Sequence, residues 1–408
     1  MRAARLARSG LLADDPRPAW ELLPAEQQPG WREHSAYACT RSSLRRAAPL
    51  VSYAEVSELH SALAAVASGQ ALLLQMGDCA ESLAEQTPAH LAAKVGHLTT
   101  LADLLADQCG QPVVRVGRIG GQFAKPRSVP VEWHADGELP AFRGHMVNSE
   151  DPTTPARQHD PRRMLLVHAA AAQVNDWLRT TRYQALADSS VPQAARGPWS
   201  SHEALVLDYE GPLVRPAPGG GAYLSSTHFP WVGERTRLMP SAHVALLAAV
   251  RNPVACKVGP AARPVDVVRL CEVLDPERVP GRLSLILRFG RSHVAQAMPD
   301  VVDAVQRAGH PVVWCCDPMH GNTVVSAHGV KTRYLQDIAA EVSQFLRVLR
   351  DRGLHAGGLH LETAADDVTE CVGGNVLAEG GLLSRYQSLC DPRLNPQQAH
   401  QLIAEVFA

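Results

Sequence analysis

Eight short, apolar stretches recur along this chain, most of them separated by segments with helical spacing. The candidate strands are Ala71–Met76, Pro112–Val116, Glu203–Asp208, His228–Val232, Pro253–Val258, Leu283–Leu287, Val312–Cys316 and Gly358–Leu361. Helix-like stretches lie at Ala89–Asp107, Pro264–Leu274, His293–Ala308 and Leu335–Arg350. Val312, Val313 and Trp314 carry no charge, which is how a strand covered on both faces reads. Strands that alternate with helices predict a parallel sheet, and eight of them close most economically into a (β/α)8 barrel. The structural alternative is an open doubly wound sheet, marked by a glycine-rich phosphate loop. Gly117–Gly121 reads Gly-Arg-Ile-Gly-Gly and fits neither the dinucleotide fingerprint nor a P-loop.

The expected organisation is an N-terminal extension over 1–52 and a barrel over 53–408. The extension is rich in Arg, Pro and Ala, and it carries Trp20 and Trp31 without a clean period. It is expected to pack on the barrel or on a partner subunit. Residues 53–68 read as a helix that Gly69 stops. An excursion over about 130–200 separates the second and third strands and holds a helix near Arg162–Leu178.

Composition removes several function classes. Of the 408 residues 46% are apolar and 20% charged, with a formal net charge of −2. A nucleic-acid binder or membrane-surface protein would carry a basic excess. No apolar run approaches the ~20 residues that span a bilayer. Nine cysteines without a Cys-x-x-Cys pair argue against a secreted disulfide framework and for the cytoplasm. The basic start, Met1–Gly10, lacks the apolar core of a secretory signal; a transit peptide is its alternative reading.

Loops after barrel strands carry chemistry, and here they deliver two sets of side chains. Cys79, His320, Glu362 and Asp391 combine a thiol, an imidazole and two carboxylates. That mixture suits a divalent transition metal with a position left open, unlike a closed structural zinc site. The bland alternative is a buried thiol, a loop histidine and two helix caps. The second set is Arg118, Lys125, Arg127, Arg235, Lys257 and Arg288. Cations gathered at one mouth repel unless anions enter, so small, multiply anionic, phosphorylated substrates are expected; a solvated rim is the alternative.

At these residues the sequence resembles a family. Gly77-Asp78-Cys79-Ala80-Glu81, Gly121–Ser128 (Gly-Gln-Phe-Ala-Lys-Pro-Arg-Ser), Trp231–Arg237 (Trp-Val-Gly-Glu-Arg-Thr-Arg) and Lys257-Val258-Gly259-Pro260 carry the likeness. So do Cys316–Thr323 (Cys-Asp-Pro-Met-His-Gly-Asn-Thr), Lys331-Thr332-Arg333 and Cys390–Asn395 (Cys-Asp-Pro-Arg-Leu-Asn). The chain is similar to type II (plant-type) 3-deoxy-D-arabino-heptulosonate 7-phosphate (DAHP) synthases, in particular the short form of phenazine and related secondary-metabolite pathways. Met76 and Phe123 depart from the family's usual Gly and Tyr.

The resemblance implies condensation of phosphoenolpyruvate, erythrose 4-phosphate and water, with phosphate released. It implies Cys79, His320, Glu362 and Asp391 as ligands of manganese or cobalt, with iron or zinc as alternatives. It gives phosphoenolpyruvate to Arg118, Glu234 (through water), Arg235, Lys257 and Arg288, and erythrose 4-phosphate to Lys125, Pro126, Arg127 and Ser128. Lys257, or a water held by Glu234, is the expected proton mover, with Arg235 beside them. A homodimer or homotetramer, a chorismate mutase partner and weak feedback inhibition also follow from the likeness. The rival readings are an amino-DAHP synthase using an imino-erythrose phosphate, and a non-catalytic regulatory homologue. If Cys79 and Asp391 share a metal, Cys390 lies near Cys79, and oxidation of metal-free protein is expected to join the two cysteines.

Overall fold

The structure, a computed structural model, describes residues 18–134, 137–186, 192 and 195–407. The basic stretch Met1–Gly10, with its transit-peptide reading, lies outside the described residues. Eight parallel strands close into a barrel: β1 (Leu72–Gly77), β2 (Val113–Arg118), β3 (Trp199–Glu203), β4 (Phe229–Val232), β5 (Val254–Val258), β6 (Leu283–Leu287), β7 (Val313–Cys316) and β8 (Gly358–Glu362). Each strand pairs with its neighbours in sequence, and β8 pairs with β1. The expected (β/α)8 architecture is therefore correct.

Period-two alternation divides the strand residues between two cores. Leu72, Leu74, Val254, Cys256, Leu285 and Trp314 point outward into a cluster shared with the surrounding helices. Leu73, Val114, Val116, Phe229, Ala255, Ile286 and Val313 point inward. Leu59, Leu63 and Val66 of the helix Tyr53–Ala67 join this inner cluster. That helix closes the barrel's N-terminal end. Its own start is fixed by a capping box, with Ser52 accepting from the Glu55 amide and Glu55 from the Ser52 amide.

The third strand corrects the sequence reading, which placed it at Glu203–Asp208. It ends where that stretch begins, and Leu207–Glu210 is a short helix. The apolar run Ala204–Leu207 looked like a buried strand. Leu205 and Val206 instead pack with Trp31, Leu44 and Tyr209 in a separate cluster beneath the N-terminal segment. The true strand carries Ser200, Ser201 and His202 and so lacks an apolar signature: Ser201 faces the polar layer inside the barrel, while Ser200 and His202 bond to His228 and Glu210.

Between β2 and β3 the chain forms a hairpin (Val131–His134 with Gly137–Pro140) and the helix Arg163–Leu186. At the N-terminus, Tyr37–Arg46 is helical, Trp20 packs into the outer core and Trp31 donates to Asp208 at 3.0 Å. Among the described residues no helix is long and apolar enough to cross a membrane.

Candidate active site

The inward face of the barrel turns polar toward the C-terminal ends of its strands. Gln75, Ser201 and His360 form a layer in which Gln75 donates to Ser201 at 3.0 Å and pairs with His360 at 2.8 Å. Arg118, at the end of β2, stands on this layer. Its guanidinium contacts His360 Nε2 at 2.9 Å and donates to Glu362 Oε1 at 3.1 Å and to the Cys79 carbonyl at 3.2 Å. Register puts Arg118 and Glu362 on either side of Gly77, at the tops of three adjacent strands.

Three of the four expected metal-site residues converge. Ligand-capable atoms of His320, Glu362 and Asp391 all lie within 4.8 Å of one another. Cys79 sits beside them: its Sγ accepts from the Asp391 amide at 3.4 Å and pairs with Ser388 Oγ at 3.3 Å. Cys79 and Cys390 are separate thiols. The Cys390 contact lowers the Cys79 pKa most, burial opposes it and Lys125 assists, leaving the value at about 6.

Charge around this cluster is densely compensated. His320 Nδ1 lies 2.7 Å from Asp317 Oδ2, and Lys257 Nζ lies 2.9 Å from the same oxygen. Burial pushes the Asp317 carboxyl up, but His320 and Lys257 outweigh it and hold it well below the usual carboxylate range. Burial pushes the Lys257 ammonium down, and Asp317 only partly offsets that. Glu362 is approached by Arg333 at 2.8 Å and by Lys125 and His320 at 3.1 Å. Lys125 also lies 2.8 Å from Asp391, whose other oxygen pairs with Lys331. Behind the cluster Arg393 binds Asp78 at 2.6 Å and Glu370 at 2.8 Å, all three buried.

A cleft of about 190 Å³ opens above these groups. Arg118, Lys125, Pro126, Glu234, Arg235, Lys257 and Arg288 line it, along with His320 and Asp391. Trp231 forms one wall, 5.5 Å from the Arg118 guanidinium and 5.9 Å from Lys257 Nζ. Arg288 donates to the His320 carbonyl at 3.1 Å. This is permitted by glycines in adjoining loops: a Cβ on Gly290 would meet the Gly321 carbonyl at 2.6 Å. Glu234 is held by Arg237 at 2.6 and 3.0 Å and by the Gly259 amide at 2.7 Å.

Two expected residues point elsewhere. Arg127 is bonded to Glu132 of the hairpin and to Cys390 Sγ at 3.5 Å, not to the cleft wall. Ser128 is exposed and accepts from Arg235 at 2.6 Å, which ties the two cation groups together. The sequence reading missed Glu203, the last residue of β3 and part of the cleft wall. Among the described residues its buried Oε1 has no hydrogen-bond partner. Burial pushes its carboxyl up, against Lys257 and Lys125. Correct placement of β3 would have put Glu203 at a strand end like the others. Asp317 was visible only as a strand stop and Arg333 only as a rim cation outside the expected set, because their work is to hold other side chains.

The model of the class-II DAHP synthetase family matches residues 16–197 and 192–407. The chain belongs to this family. A probable phospho-2-dehydro-3-deoxyheptonate aldolase of Pseudomonas fluorescens is 47% identical over 378 residues, covering 92% of each chain. The phospho-2-dehydro-3-deoxyheptonate aldolase AroG of Mycolicibacterium smegmatis is 40% identical, covering 93% of this chain and 91% of that one. A Streptomyces coelicolor relative with the same enzyme name is 38% identical, covering 95% and 96%. The solved phospho-2-dehydro-3-deoxyheptonate aldolase of Francisella tularensis shares the fold, with a TM-score of 0.53 at 13% identity over 90% of this chain and 96% of that one. This class-II DAHP synthetase family member is thus an enzyme of the type its relatives are named for.

Proposed function

We propose that this enzyme condenses phosphoenolpyruvate with erythrose 4-phosphate and water, giving DAHP and inorganic phosphate. The observation that carries the reading is that His320 and Asp391, which converge with the buried Glu362, line one cleft with the cations. Two anionic substrates repel each other in water. A cleft with six cationic side chains on its wall, Arg118, Lys125, Arg235, Lys257, Arg288 and Lys331, offsets that repulsion and sets the reacting carbons together.

The donor set fits a divalent ion. It offers nitrogen, oxygen and sulfur donors, and the Cys79 thiol, at about 6, ionises readily near neutrality. Glu362 Oε2 lies 2.8 Å from Arg333 but, among the described residues, has no aligned hydrogen-bond donor. Cys79, His320, Glu362 and Asp391 would hold manganese or cobalt, or else iron or zinc. When bound, such an ion supplies a Lewis acid for the aldehyde oxygen.

The chain's own residues do the rest. Arg118, Arg235, Lys257 and Arg288 bind phosphoenolpyruvate, with Glu234 reaching it through a water. Lys125, Pro126, Arg127 and Ser128 take the aldose phosphate, Arg127 by exchanging Glu132 for it, and Lys125, between Asp391 and Glu362, orients it toward the cluster. The methylene carbon of phosphoenolpyruvate attacks the aldehyde carbon. Water adds at the cationic carbon left behind, and the carbon–oxygen bond to phosphate breaks. Lys257, in contact with Asp317 and His320, is placed to move the proton, as is a water on Glu234. Glu203, with its unpartnered oxygen facing the same wall, is a third group able to accept it. A homo-oligomer working in the cytoplasm for secondary metabolism completes the reading.

The test is consumption of phosphoenolpyruvate with erythrose 4-phosphate, after chelation and again with manganese or cobalt restored. Metal-dependent loss with one phosphate released per turnover is expected, with DAHP identified as the product. Silence with every metal from folded protein would overturn the reading, and turnover only with an imino-erythrose phosphate would move it to the amino analogue.

A further inference from the structure

The loop Lys125–Ser128 is gripped from outside the barrel. Pro126 has no amide hydrogen, and the amides on either side of it bond to segments that belong to no barrel strand. The Lys125 amide donates to the Arg143 carbonyl at 2.9 Å. The Arg127 amide donates to Gln27 Oε1 at 3.0 Å, across a sequence separation of 100. The two grips are joined, because the Arg143 guanidinium donates to the Gln27 carbonyl and, at 3.3 Å, to that of Gln28.

Gln27 also holds an unusual backbone. Its φ is 61°, in the left-handed region that residues other than glycine seldom occupy. The segment around it is tied on both sides. The Pro24 carbonyl accepts from the Ala242 amide at 2.9 Å. Gln28 donates to the Leu205 carbonyl at 2.8 Å and accepts from the Leu207 amide at 3.0 Å. The Gly30 amide donates to His159 at 3.1 Å. These bonds fasten residues 24–30 across the loops after β3 and β4 and onto the excursion. The result is to press one glutamine side chain against the Arg127 amide.

We infer that Gln27 is a positioning residue for the aldose-phosphate subsite, an N-terminal strap that sets the loop carrying Lys125 and Arg127. This rests on the reading of Lys125–Ser128 as that subsite. Without the glutamine carbonyl, the Arg127 amide loses its partner and the loop must move to find water. Of the phosphoenolpyruvate groups, Arg118, Lys257 and Arg288 stand at strand ends and lack this support, and Arg235 meets the loop only through the exposed Ser128 hydroxyl.

The test is Gln27→Gly in the full chain, assayed for both substrates. Glycine removes the acceptor and is the residue best suited to a positive φ, so the melting temperature is expected to hold or rise. The KM for erythrose 4-phosphate should rise about tenfold, the lower part of the range for an orphaned amide, with the KM for phosphoenolpyruvate within about twofold of the parent. Arg127→Ala is measured beside it. If Arg127→Ala raises the erythrose 4-phosphate KM and Gln27→Gly does not, the strap inference is overturned and the subsite stands. Equal rises in both KM values for Gln27→Gly would also overturn it. If Arg127→Ala leaves that KM unchanged, the subsite reading fails and the inference with it.

Discussion

Replacing Arg393 by methionine probes how the site's loop is held. Arg393 is 5% exposed and places its guanidinium 2.6 Å from Asp78 and 2.8 and 3.1 Å from the two Glu370 oxygens. Glu370 also accepts from the Arg393 amide at 2.7 Å and the Gln387 amide at 3.1 Å. These bonds anchor both ends of the stretch that carries Cys390 and Asp391. At an effective dielectric near 20, unit charges about 4 Å apart attract by about 4 kcal/mol, so the two carboxylates contribute roughly twice that in gross terms. Desolvation of the guanidinium cancels much of it. Breaking a buried pair from one side nevertheless costs about 3–5 kcal/mol, because a charge is left without compensation. Methionine fills the stem's volume and isolates that effect. Urea unfolding should show the loss as a lower midpoint at unchanged slope. The double variant Glu370→Gln with Arg393→Met should recover at least half of the stability, since no unpaired charge remains there. It should not recover turnover, because the tether to Asp391 is still gone. A single-variant loss below about 1 kcal/mol, or a double variant no more stable than the single, would refute the reasoning.

Three further outcomes are expected. Gly321→Ala should lower turnover about a hundredfold with modest loss of stability, because its Cβ would meet the Gly290 amide nitrogen at 2.3 Å and part Arg288 from His320; unaltered steady-state kinetics would count against this. Burial depresses the His97 pKa to about 4, against about 6.5 unfolded, so this residue's contribution is complete above pH 6.5 and is lost as pH falls toward 4. Wild-type protein should lose about 3 kcal/mol more than His97→Leu between pH 7 and 4, and parallel stability curves would exclude it. Mild oxidation of chelated protein should join Cys79 to Cys390, the neighbour of the Asp391 amide that Cys79 accepts from, and peptide mapping without reductant would show the linked fragments or refute the pairing.

The barrel was legible because its strands are covered on both faces and read as apolar runs between helical segments. Seven strands lie within a residue or two of where the apolar pattern puts them. The eighth, β3, fails because its inward residues Ser201 and Glu203 belong to the polar layer and the cleft, while the apolar run after it serves another cluster. The site was legible where a strand end delivers a charged group directly, as with Arg118, Lys257 and Glu362. It was illegible where a residue acts through space. Gln75 and His360 look like ordinary interior positions until Arg118 is seen standing on them. Arg393 reads as one more residue of the Cys390–Asn395 motif, yet it is buried between Asp78 and Glu370. Gln27 lies in a segment without a period, and only its partner, distant in sequence, gives it meaning.

The helix that seals the base of the barrel has a consequence for biogenesis. Leu59, Leu63 and Val66 leave the ribosome ahead of every strand they touch, and Val313 and Cys315 are among the last of those partners to appear. Until then the helix has an oily face and nothing permanent to set it against. Contacts so distant along the chain form late and leave the nascent protein exposed in the meantime. A chain interrupted after β6 would thus hold most of its cations and neither His320 nor Glu362, around a base still open to water.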